Sequence, residues 1–117
     1  MKNLEIEKFT QRLLKDFPNF INEMKPDDFQ PYMFFGDFGI YIRDLIDRGT
    51  YTENELDKIF EFLNEMGNSV DEEVQNLLTV GVLEIISDSS AAIMLARKKL
   101  KGTALEDLIL IQKYWAD

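Results

Sequence analysis

The stretch Leu77-Leu78-Thr79-Val80-Gly81-Val82-Leu83-Glu84-Ile85-Ile86 is the longest nearly apolar run in the chain. It is about half of the roughly 20 residues that a membrane span requires. Ser69 and Glu72 stand three apart just upstream, a capping-box pair that opens a helix. From Leu77 onward that helix, over residues 70–86, is apolar on nearly every side. An all-round apolar helix of this length is packed in the middle of a protein, so the remaining segments must surround it.

Upstream, Thr52 and Glu55 form another capping-box pair, and Leu56, Ile59, Phe60, Leu63 and Met66 follow as one apolar stripe that Gly67 stops. Asp37 reads as the N-cap of a helix through Ile40, Tyr41, Leu45 and Arg48, closed by Gly49. At the start of the chain Ile6, Phe9, Leu13, Leu14 and Phe17 fall on a helical stripe that Pro18 ends. Residues 18–36, which hold all three prolines, read as the least regular part, with a short helical turn around 20–24. Downstream, residues 87–90 break the chain, a helix covers 91–100, Gly102-Thr103 separates, and a last helix runs from 104 to 114 or 115. No window alternates apolar and polar residues as a strand does. The expectation is an all-α fold of six to seven helices in a single domain over residues 1–117, as an irregular bundle or a short solenoid-like stack.

The charge is as informative as the pattern. Between Asp44 and Asp88 there are twelve acidic side chains and two basic ones, Arg48 and Lys58, so the segment carries −10 while the rest of the chain sums to +1. Such a field disfavours nucleic acid and anionic membranes and favours a basic protein partner. With no histidine and no cysteine, zinc and copper lose their usual ligands and nucleophilic catalysis loses its base. No metal, no cofactor and no enzymatic activity are expected. The N-terminal residues lack the apolar run of a signal peptide, and a cytoplasmic monomer or weak dimer is the expectation. Asp37-Phe38-Gly39 matches the magnesium tripeptide of kinases, but the surrounding kinase motifs are missing and a helix cap accounts for Asp37.

Within the acidic segment Asp57, Glu61 and Glu65 recur at i, i+4, a row of like charges that costs a helix about 0.2–0.5 kcal/mol per pair. Only Lys58 is near in sequence to offset it. Glu61 and Glu65 lie toward the helix C-terminus, where the dipole disfavours them. Asp71 and Glu72 suit a helix start and also extend the acidic face. These five residues are the candidate contacts for a basic partner. In the aromatic cluster Phe29, Tyr32, Phe34, Phe35, Phe38 and Tyr41, most rings are expected in the core, with Tyr32 and Tyr41 as candidate anchors at an interface rim. The basic cluster Arg97, Lys98, Lys99 and Lys101 reads as a helix C-terminus complementing the dipole. Glu84, alone among apolar neighbours, reads as a buried tie to Arg43, Arg97 or the indole of Trp115.

The run Asp71-Glu72-Glu73-Val74-Gln75-Asn76-Leu77-Leu78-Thr79-Val80-Gly81-Val82-Leu83-Glu84, then a basic-ended helix, then Tyr114-Trp115, resembles a family of small all-helical bacterial proteins. These in turn are similar to the immunity proteins of polymorphic and contact-dependent toxin systems. The likeness spans roughly residues 50–117, with Trp115 in a structural role. It implies an antitoxin that binds and occludes a toxin domain of the basic nuclease type, with no catalytic residues. A helical scaffold or adaptor for a basic protein is the alternative reading.

Overall fold

The computed structural model describes residues 3–115, apart from the side chain of Trp115. The structural role expected of Trp115 therefore lies outside the described residues. Asn3 opens α1 (Leu4–Asp16), its side-chain oxygen accepting hydrogen bonds from the N–H groups of Glu5 and Ile6 at 3.0 and 3.1 Å. Ile6, Phe9 and Leu13 on its stripe are buried. Pro18 does end α1, but it also starts α2 (Pro18–Met24) as a first-turn residue. Pro31 does the same for α3 (Pro31–Arg48).

Residues 18–36 are thus mostly helical, contrary to the expectation. A proline at a helix start loses no hydrogen bond and already has the helical φ. Asp37 consequently lies inside α3 and caps nothing. Gly49 ends that helix in the left-handed region, at φ 68°.

Thr52 caps α4 (Glu53–Gly67) by accepting from the Glu55 N–H at 3.1 Å, as the sequence predicts. The next cap differs: Asp71, not Ser69, accepts from the N–H groups of Glu73 and Val74 at 2.9 and 3.3 Å. Ser69 caps one step earlier, accepting from the Asp71 N–H at 3.1 Å. The central rod then runs through α5 (Glu72–Asn76), a π-helical segment (Leu77–Leu83) and the single turn α6 (Glu84–Ile86). Ser89 caps α7 (Ser90–Lys99), and α8 (Gly102–Trp115) closes the described chain. With the rod taken as one helix, the described residues form seven helices and no strand.

Most of the π segment is buried, as its composition predicts: Leu77, Leu78, Val82 and Leu83 are fully enclosed, whereas Val80 is exposed. α3 lies along it and α8 and α4 cover other sides, while Asn3 of α1 reaches Asp71 with a 3.2 Å hydrogen bond. Contacts between elements so distant in sequence make this an irregular bundle, since solenoid repeats touch only their neighbours. The Cα radius of gyration, 13.2 Å, matches the roughly 13 Å of a compact chain this long. A second focus of the core is aromatic. The Phe38 ring meets Phe17, Phe20, Phe62 and Tyr41 at centroid distances of 5.3, 5.1, 5.8 and 6.5 Å, and such pairs add about 0.5–1.5 kcal/mol each beyond burial.

Candidate protein-interaction surface

The stripe of α4 faces inward, so its acidic residues face out. Asp57, Glu61 and Glu65 are all exposed. The row is less bare than its sequence suggests, because bases arrive from elsewhere in the fold. Lys99, at the end of α7, donates to Asp57 at 2.6 Å and to Glu53 at 3.1 Å. Those two carboxylates hold its ammonium above the usual lysine range, the Asp57 hydrogen bond contributing most. The position is set by Asn64, which donates to the Lys99 carbonyl at 3.2 Å and accepts from the Lys101 N–H at 2.8 Å. Arg12 of α1 pairs with Glu65 and lies over the Phe62 ring, 5.0 Å from its centroid. Glu61 alone of the three has no ion pair among the described residues. The uncompensated row expected on α4 is therefore reduced to Glu61.

Lys58, the base expected to offset the row, turns away to the Asp16 carbonyl and the Phe17 ring. Arg48 pairs with Glu23 of α2 at 3.0 Å, and within the segment it donates to the Asp44 backbone carbonyl. None of the twelve acidic side chains between Asp44 and Asp88 is buried. Among the described residues, Arg12, Arg43 and Lys99 are the bases that reach them from outside the segment.

The other candidate residues scatter. Asp71 is exposed only in part and serves as cap and as acceptor for Asn3, which is a structural role. Glu72 is exposed in the first turn beside it. Tyr32 is half-exposed, and its hydroxyl accepts from the Asn76 amide at 2.5 Å. Asn76 is one helical turn from Glu72, so these two candidates share a region. Exposed Phe29 and Met33 lie beside Tyr32 in sequence, whereas Phe34, Phe35 and Phe38 are fully buried.

Tyr41 is corrected outright: its ring is inside, 3% exposed, and cannot serve as a rim anchor. Its hydroxyl reaches the edge of the core and donates to Glu55 at 3.1 Å. Burial first, then the Glu55 carboxylate, holds the phenol above its usual range.

Glu84 also departs from its expected role. It is half-buried, and its side chain has no hydrogen bond or ion pair among the described residues. Arg43 turns instead to Asp44 and Asp88, at 3.3 and 3.6 Å, and Arg97 to Gln112 at 3.0 Å. Glu84 lines an open groove with Val80, Ile85, Ser87, Asp88 and Ile111. The exposed side chains of Ile109, Leu110 and Tyr114 on α8 were detectable in principle, since they fall off the buried positions Ala104, Leu108 and Ile111. No group of three or more acidic, histidine or cysteine residues among those described is placed to hold a metal ion. No helix there is long and apolar enough to cross a membrane.

Comparison with protein families gives one match, to a domain of unknown function, DUF7674, over residues 10–116. The chain belongs to the DUF7674 family. No curated protein and no solved structure matches it. The DUF7674 match begins in α1 and takes in α2 and α3, so the similarity extends well before the residues 50–117 on which the sequence resemblance rests. Being a DUF7674 domain brings no activity with it, and an immunity role does not follow from the match. A functional reading of this DUF7674 domain has to come from its surface.

Proposed function

We propose that this protein is a non-catalytic binding domain that docks on a basic protein. In keeping with its resemblance to immunity proteins, we propose a nuclease-type toxin domain as that partner, with the active site occluded on binding. The observation that carries the reading is the fate of the acidic segment. Twelve carboxylates stay at the surface, three bases come to them from outside, and the segment's own two bases are engaged elsewhere. Most of the negative charge therefore faces solvent, although the core could have been built without it. A nuclease site built to hold phosphates presents the complementary field, and opposed fields speed encounter.

The test is association kinetics against basic nuclease domains encoded beside the gene. Raising salt from about 50 to about 500 mM should slow association by tenfold or more. Glu61→Lys should slow it further, with folding unchanged, because Glu61 is exposed and has no ion pair among the described residues. Nuclease activity should fall in proportion to complex formed. Salt-independent association would remove the electrostatic reading, and binding without inhibition would favour an adaptor over an inhibitor.

A further inference from the structure

The π segment leaves part of the rod outside the core. Residues 77, 78, 81, 82 and 83 are buried, yet Val80 between them is 44% exposed. π-helical turns occur preferentially at functional sites, and this one borders a groove of about 360 Å³ shared by the end of the rod and α8. Ile111 forms its floor with Val80 and Ile85. Leu110, 50% exposed, and Tyr114, 75% exposed, continue the apolar surface along α8 at i, i+4 spacing. The wall is acidic. Glu84 and Asp88 stand one turn apart, the first unpaired among the described residues and the second 71% exposed with Arg43 at 3.6 Å. On α8 the acidic side chains Glu106 and Asp107 add to the charge. Bases stand near this surface too: Arg43, Lys113 on α8, and Arg97, which donates to Gln112 of α8.

An apolar floor beside two carboxylates, of which Glu84 has no ion pair among the described residues, fits one kind of occupant. We infer that this groove receives an amphipathic helix of a partner protein, its apolar side chains on Val80, Ile111 and Leu110 and an arginine or lysine on Glu84 and Asp88. Helix-in-groove recognition uses such anchors at i, i+3 and i+4. A second copy of this chain is disfavoured, because a two-fold contact would set the same carboxylates face to face. The inference rests on the preceding reading that the partner is basic, and it names where that partner contacts the surface.

The experiment is an NMR titration of the ¹⁵N-labelled full chain with two designed peptides of about 18 residues, five helical turns. One is amphipathic Leu/Arg and the other is Leu/Glu in the same pattern. The Leu/Arg peptide should shift resonances of Val80, Glu84, Asp88, Ile111 and Tyr114, and the Leu/Glu peptide should not. Glu84→Gln with Asp88→Asn should weaken the Leu/Arg complex by about tenfold or more, with the circular dichroism spectrum unchanged. Shifts gathered around Glu61 on α4 would overturn this site and leave the proposed function standing. Equal binding of both peptides, or a concentration-dependent dimer that broadens the groove resonances, would also overturn it. Binding of neither peptide would overturn this site, while the proposed function would still stand or fall on the nuclease kinetics.

Discussion

Gly39 of α3 lies directly against Gly81 of the π segment: a Cβ on Gly39 would be 3.2 Å from the Gly81 carbonyl oxygen, and equally near the Val82 oxygen and the Ile85 Cβ. Two of those three atoms belong to the rod's backbone, which cannot swing aside as a side chain can. Gly36, one turn earlier, has 3.7 Å or more to its nearest neighbours. Alanine in a helix gains about 0.8–1.0 kcal/mol over glycine, and overpacking costs about 1–3 kcal/mol. Gly36→Ala should therefore raise stability in urea unfolding. Gly39→Ala should fall below Gly36→Ala by about 1–3 kcal/mol, and equal stabilities would show that the rod has room to move.

Ser89 joins two helices through one hydroxyl. It donates to Asp47 of α3 at 2.5 Å and accepts from the Ala92 N–H of α7 at 3.1 Å, while 7% exposed. Ser89→Ala removes a cap and leaves a buried N–H unsatisfied, so a loss of about 1–2 kcal/mol is expected. Chemical denaturation measures it. Ser90→Ala, at an exposed neighbour, is the control and should change little.

The Tyr41 phenol predicts an alkaline limit. Its folded pKa is raised, so the protonated form is favoured by folding. The stabilisation is complete below the unfolded tyrosine value of about 10 and declines as pH rises above it. Wild-type stability should drop above about pH 10, and Tyr41→Phe should lack that share of the drop. Melting temperatures of both proteins, from about two pH units below the unfolded tyrosine value to about one unit above it, give the comparison. Parallel curves would mean that Tyr41 ionises freely in the folded protein.

Within the rod, burial separates two neighbouring apolar positions. Leu77 is fully enclosed and Val80 is 44% exposed. Leu77→Ala should cost about 2–5 kcal/mol, as large-to-small core changes do. Val80→Ala should cost under about 1 kcal/mol, since exposed positions tolerate truncation. If the two losses were equal, the rod would be rotated from the orientation described.

The elements themselves were largely legible in the residues. The Leu56–Met66 stripe, the Thr52 cap, the Gly49 stop and the apolar rod all stand where local pattern puts them, because each depends on atoms within a turn or two. The errors were local ambiguities. Pro18 and Pro31 interrupt the local pattern and yet start helices, and Ser69 and Asp71 are both competent caps, of which Asp71 takes the role at α5. The π geometry left no mark in the pattern; in the fold, Gly39 and Phe35 lie close against Gly81 across the core.

The sequence by itself determined the helical class, the buried rod, and a surplus of negative charge confined to one segment. Composition and periodicity are properties of the chain alone, and burying the apolar stripes puts the charged residues outside. Only the tertiary structure decided which charges remain open. Arg12 and Lys99 are 53 and 42 residues from the acids they neutralise, so no local reading could separate Glu65 and Asp57 from Glu61. The same holds for Glu84 and Tyr41, whose surroundings are made by other helices. Burial and pairing are relations across the fold, and they exist only once those helices have packed.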